Sequence, residues 1–116
     1  MRIIVAGDRN WKRMDIIERE LKKFPSGTIV IHGDAKGADT LGGFVADKLG
    51  FKVIPFPAKW KIYGKGAGPI RNQQMLDEGK PDMVLAFHEN INESKGTKDM
   101  VNRARGIGIK VEIIKR

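Results

Sequence analysis

Arg71 and Asn72 follow Gly68-Pro69-Ile70, a glycine-led helix start. A guanidinium in the first turn of a helix is placed to make bidentate bonds to a phosphate or a carboxylate. The stretch that leads to it, FPAKWKIYGKGAGPIRNQQM over 56–75, carries Lys59, Lys61, Lys65 and Arg71 and no acidic residue. Trp60 and Tyr63 interrupt these cations and offer flat faces on which a base stacks. Plainer roles exist for the same residues, with Trp60 plugging a sheet edge and Lys59 and Lys61 solvated. The stretch is too polar for a core strand and too rich in glycine at its centre for a helix, so it reads as a basic loop.

A second constellation, HGDAKGAD over 32–39, follows a strand and opens a helix. There the backbone N–H groups of Gly33, Asp34, Ala35 and Gly37 and the helix N-terminus can converge on an anion, with Lys36 adding charge. Gly33 and Gly37 allow close approach of backbone. The alternative is an ordinary strand-to-helix turn with Asp39 or Thr40 as N-cap. It is neither a Walker A loop nor the dinucleotide fingerprint, because no Gly-Lys pair precedes Ser or Thr and the glycine spacing differs. Two further loops carry Gly7-Asp8-Arg9 and Gly96-Thr97, the latter shortly before Asp99. His32 ends a buried strand and reads as structural, whereas His88 reads as a ligand contact or, slightly better, an exposed loop residue. No His-Asp-Glu spacing makes a metal site, and no cofactor is expected.

The elements that position these loops are legible from periodicity. Strands are expected at Arg2–Ala6, Thr28–Ile31, Phe51–Ile54, Asp82–Phe87 and Lys110–Ile114. Helices are expected from Trp11 or Asp15 to Phe24, from Asp39 or Thr40 to Leu49, from Pro69 to Gly79, and from Thr97 to Arg105. In the second helix Leu41, Phe44, Val45 and Leu49 form the apolar face, and the Gly42-Gly43 pair signals close packing against another chain or the sheet beneath. This alternation predicts an α/β fold, a Rossmann-like three-layer sandwich of about five mainly parallel strands with helices on both faces. The final strand, alternating in polarity, reads as a sheet edge. Parallel sheets of this kind bind ligands beyond the carboxyl ends of their strands. The loops 7–10, 33–39, 57–68 and 88–96 all lie there.

Composition narrows the classes. A chain of 116 residues, 41% of them apolar, suits one domain over 1–116. With no cysteine, disulfides and thiolate metal sites are excluded. No run of apolar residues approaches span length, so the expectation is a soluble, cytoplasmic protein with no membrane partner. A net charge of +8 favours an anionic partner.

The ordered blocks G-D-R-x-W, H-G-x-A-K-G-A-D, F-P-A-x-W, Y-G-K-x-A-G-P-I-R-N-x-x-M and G-T-x-D-M span essentially the whole chain. Together they resemble the SLOG superfamily, specifically its YspA-like (cpYpsA-related) family. The resemblance implies a nucleotide or nucleotide-derived ligand at the loops of Gly33–Asp39 and Gly96-Thr97, and a homodimer as in many relatives. It also implies an N-ribohydrolase alternative, in which Arg71 and Asp99 would be catalytic. There the chain departs from the phosphoribohydrolase pattern, with Met100 at the glutamate position and Asp99 one residue early. Asp34 replaces a second family glycine, and its carboxylate would repel a phosphate unless it points away, binds ribose hydroxyls or holds a metal. The leading expectation is therefore a small-molecule binding domain for an ADP-ribose-like or nucleoside phosphate ligand, with Trp60, Lys65 and Asn72 among the contacts. Nucleic-acid binding through the basic loop is the third possibility.

Overall fold

The computed structural model describes all 116 residues. Five strands, Arg2–Gly7 (β1), Ile29–His32 (β2), Lys52–Pro55 (β3), Met83–Phe87 (β4) and Lys110–Ile114 (β5), form one parallel sheet in the order β3-β2-β1-β4-β5. The helices are Met14–Leu21 (α1), Ala38–Lys48 (α2), Trp60–Tyr63 (α3), Ala67–Gly79 (α4) and Lys95–Gly106 (α5). Strand order reverses between β1 and β4, so the loops that follow strands at that point carry the ligand positions of such sheets.

Alternation along the central strands builds two cores. Ile3 and Val5 of β1 join Met83, Leu85 and Phe87 of β4 under α1 and α2, while Ile4, Ala6 and Val84 face Met75 and Leu76 of α4 and Met100 and Ala104 of α5. The sheet is therefore apolar on both faces, as a parallel sheet covered by helices requires. Trp11 lies before α1, not in it, buried edge-on against Phe87 with ring centroids 5.6 Å apart. Its indole N–H donates to the Arg13 carbonyl at 3.0 Å, so the polar atom is satisfied.

Four expectations are corrected. Residues 60–66 are helical, α3 running into a short 3₁₀ turn over Gly64–Gly66 and then directly into α4. Gly64 reverses the chain with φ +58, a conformation that only glycine adopts freely, so the glycines join the turns and do not melt them. In α2 the buried face is Ala38, Asp39, Gly42, Gly43, Val45 and Ala46, and Phe44 is exposed with the Lys48 ammonium 4.9 Å above its ring. The face is set by small residues because a Cβ on Gly42 would meet Val5 at 2.6 Å and one on Gly43 would meet His32 at 2.7 Å. That pair is thus packed on the sheet beneath. Finally, Gly37, not Asp39 or Thr40, caps α2, and His88 is buried, its Nδ1 accepting the Asn90 N–H at 2.9 Å.

Candidate functional site

Gly33, at the end of β2, is the hub of the site. Its N–H donates to Asp39 Oδ2 at 2.9 Å, and its carbonyl accepts from Arg71 Nη1. A Cβ there would fall 2.5 Å from Arg71 Nη1 and 2.9 Å from Asp39 Oδ2, so glycine is needed for two side chains to close over the backbone. The loop's inner amides are engaged by the protein itself. The Asp34 N–H donates to His32 Nδ1 at 3.0 Å and the Ala38 N–H to the Asp8 carbonyl at 3.0 Å. The carboxylate at the helix start is thus Asp39, held from within and 6% exposed.

Electrostatics follow from this burial. Loss of solvent pushes the Asp39 carboxyl up to about 6, against the Gly33 N–H and the Arg71 guanidinium, which favour the charged form. The same burial lowers the Arg71 pKa against the pull of Asp39 and Asp99, but a guanidinium remains a cation. The His32 pKa is also lowered by burial, and its Nδ1 accepts a hydrogen bond from the Asp34 N–H. Asp34 has φ +55. That left-handed conformation is one that glycine adopts freely and that Asp tolerates better than most side chains.

Arg71 and Asn72 tie the loop to the second helical layer. Arg71 Nε donates to Asn72 Oδ1 at 3.0 Å, and Asn72 Nδ2 donates to the Gly96 carbonyl at 3.2 Å and to Asp99 Oδ2 at 2.9 Å. Asp99 Oδ2 also accepts from Arg103 Nε at 2.9 Å, and Arg103 Nη1 donates to Gln73 Oε1 at 2.9 Å. Ser94 caps α5, its Oγ accepting the Thr97 N–H at 3.1 Å, and Thr97 is buried. One chain of polar contacts therefore joins the ends of β2, α4 and α5. Because Asn72 is only 4% exposed and satisfies three groups, Asn72→Ala should lower stability by about 2 kcal/mol. Chemical unfolding of the two proteins measures it, and a loss below about 0.5 kcal/mol would contradict the bridging role.

Two clefts open on either side of this hub. One, of about 160 Å³, is lined by Pro57, Lys59, Tyr63, Ala67, Ile70, Arg71 and Gln74. It combines two cations, an amide and an aromatic, with no carboxylate. The other, of about 450 Å³, runs along Arg9, Asn10, Trp11 and Lys12 and along Lys36, Gly37, Thr40 and Leu41. Of the residues expected at the site, Gly7, Asp8 and Arg9 lie against the start of α2. Gly7 packs against Ala38 and Gly37 against the Asp8 and Arg9 backbone. Gly96 and Asp99 join Arg71 through Asn72. Trp60 is 57% exposed and lines neither cleft, nor does Lys65. Ala35 is half-buried in the turn, its carbonyl accepting the Thr40 hydroxyl and N–H. Sequence reasoning missed Gln74 and the Gln73–Arg103 pair. Their signals were helical spacing, Gln74 three residues after Arg71 and Arg103 four after Asp99.

No helix is long and apolar enough to cross a membrane. Residues 1–63 match the model of the YspA, cpYpsA-related SLOG family. The chain is 36% identical over 119 aligned positions to the Gene 61 protein of Mycobacterium phage D29, covering 95% of this chain and 93% of that one. In fold it is similar to the X-ray structure of DNA processing protein A from Streptococcus pneumoniae, with a TM-score of 0.55 over 96% of this chain at 17% identity. The chain spans 58% of that structure's length. The family match covers more than half of the chain, from β1 through the Gly33 hub to α3, and this chain belongs to the YspA, cpYpsA-related SLOG family.

Proposed function

We propose that the chain binds a nucleotide or nucleotide-derived small molecule, of the nucleoside phosphate or ADP-ribose-like class, in the cleft that Arg71 lines. The observation that carries this reading is the tethered guanidinium. With Nη1 on the Gly33 carbonyl and Nε on Asn72, Arg71 is fixed in orientation at the wall of a cleft that also holds Lys59, Tyr63 and Gln74. A preoriented guanidinium gives an anion paired hydrogen bonds without first losing side-chain freedom. Tyr63 supplies a ring face beside it, and Gln74 a donor and an acceptor for ribose or base. The cleft has room for part of a nucleotide, so the remainder of the ligand lies over its rim. Family membership and the DNA-processing name of the similar fold agree with a nucleotide-related ligand.

The test is a thermal-shift screen at fixed salt with nucleoside mono-, di- and triphosphates, NAD and ADP-ribose, on the wild type and Arg71→Ala. A ligand at one hundred times its Kd stabilises the native state by about 2.7 kcal/mol. One nucleotide class should shift the wild type, and Arg71→Ala should weaken it by about ten- to a hundredfold, the range of a lost charge-assisted hydrogen-bonded pair. Absence of a shift with every compound would refute the reading. Analysis of the same mixtures for free base separates binding from hydrolysis.

A further inference from the structure

We propose that the outer face of α3 and the turn after it is a docking surface for single-stranded nucleic acid. Trp60 is 57% exposed, Ile62 69% and Tyr63 48%, three of the four residues of one helical turn. Exposed large side chains gathered in this way mark an interaction surface, whereas scattered ones need no explanation. The Trp60 ring edge lies over Gly68, 3.5 Å from where a Cβ would stand, so it is braced against α4 with the rest of its surface in solvent.

Charge selects the occupant. From Lys48 to Leu76 the chain has six cations, Lys48, Lys52, Lys59, Lys61, Lys65 and Arg71, and no carboxylate. None takes part in the molecule's ion pairs, which lie in and beside α1, in α5, in β5 and between Glu89 and Arg116. Lys59, Lys61 and Lys65 are all exposed and interleave with the two aromatics. Cations that follow a backbone, alternating with rings that stack on bases, are the two ingredients of sequence-tolerant single-strand recognition. An anionic bilayer fits less well. A membrane-surface helix segregates its charges from a continuous apolar face, and α3 is a single turn with lysine on both sides of Trp60. The surface shares Lys59 and Tyr63 with the Arg71 cleft, whereas Trp60, Lys61 and Lys65 lie outside it, so variants at Trp60 and Lys61 test the surface apart from the ligand proposed for the cleft.

The test uses the full chain and an oligothymidylate of about eight nucleotides, a length within the range that single-strand sites cover. Trp11 is 1% exposed and Trp60 57%, so quenching of the exposed tryptophan reports contact directly. Quenching is expected, with a log–log salt slope of about −2 for three lysines. Trp60→Ala should weaken binding, followed by anisotropy of a labelled oligomer, about five- to a hundredfold. Lys61→Glu, on a solvent-facing side chain, should weaken it and flatten the slope without touching the Arg71 cleft. Unchanged melting of both variants separates loss of binding from loss of fold. Four results would overturn the proposal: no binding at low salt, binding insensitive to Trp60→Ala, equal affinity for a duplex of the same length, or stronger capture by polyglutamate or phosphatidylserine vesicles.

Discussion

Gly37→Ala is expected to lower the unfolding free energy by about 4 kcal/mol, enough to leave a domain of this size only marginally folded. Two separate penalties add. Gly37 has φ +78, in the left-handed region, where a residue with a Cβ loses roughly 1–2 kcal/mol. Its Cβ would also stand 2.3 Å from the Asp8 carbonyl oxygen and 2.4 Å from the Arg9 carbonyl carbon. Overpacking of this sort costs about 1–3 kcal/mol when a side chain can yield. Here the obstacle is backbone held by its own bonds, since the Asp8 carbonyl accepts the N–H groups of both Trp11 and Ala38 at 3.0 Å. Relief therefore requires the loop after β1 to separate from the start of α2. Urea unfolding of the wild type and variant measures the difference, and a loss smaller than about 1.5 kcal/mol would mean that the contact yields more easily than these distances allow.

The junction at Gly37 also marks where sequence reasoning reached its limit. All five strands and four of the five helices lie close to where periodicity puts them, because alternation and the i, i+4 pattern record burial by an adjacent layer. Phe44 was misread for a specific reason. Gly42 and Gly43 bring α2 so close to Val5 and His32 that the buried face is rotated toward small residues, and hydrophobicity alone ranks Phe44 above them. Residues 60–66 were misread because glycine lowers helix propensity, yet Gly64 sits at a break between two turns and costs nothing there. In the site, Arg71 and Asn72 were legible from residue type at a glycine-led helix start, and the Gly33 loop from its place at a strand end. Their connection was not. That Asn72 joins Gly96 and Asp99 to Arg71, and that Asp39 turns inward to Gly33, depend on contacts between positions far apart in the chain.

The inward turn of Asp39 carries the last expected result, a stability contribution that runs opposite to ordinary acid denaturation. In the unfolded chain this carboxyl titrates at its ordinary value of 3.8, whereas burial holds it at about 6 in the native state. Between those values the native state binds more protons than the unfolded one, so this group's contribution falls as pH rises from about 4 to about 6 and is lowest above that. The difference is worth about 3 kcal/mol at 1.36 kcal/mol per unit. His32 acts in the other direction. Its pKa is lowered by burial, so it favours the native state more as pH rises toward its unfolded value near 6.5. Raw stability curves mix the two groups, and the difference between wild type and Asp39→Asn isolates the first. Asparagine keeps an oxygen for the Gly33 N–H and carries no charge to desolvate. The variant is therefore expected to be more stable than wild type at pH 8, by about 1–3 kcal/mol once the lost attraction to Arg71 is offset, and the gap should close by pH 4. A variant less stable at pH 8, or a gap that does not change with pH, would show that Arg71 stabilises the Asp39 charge more than burial opposes it. The same carboxylate lies beside the guanidinium proposed to receive an anion. Ligand binding should accordingly take up protons near neutral pH, and calorimetry in buffers of different ionisation enthalpy would register that uptake in the wild type and lose it in Asp39→Asn.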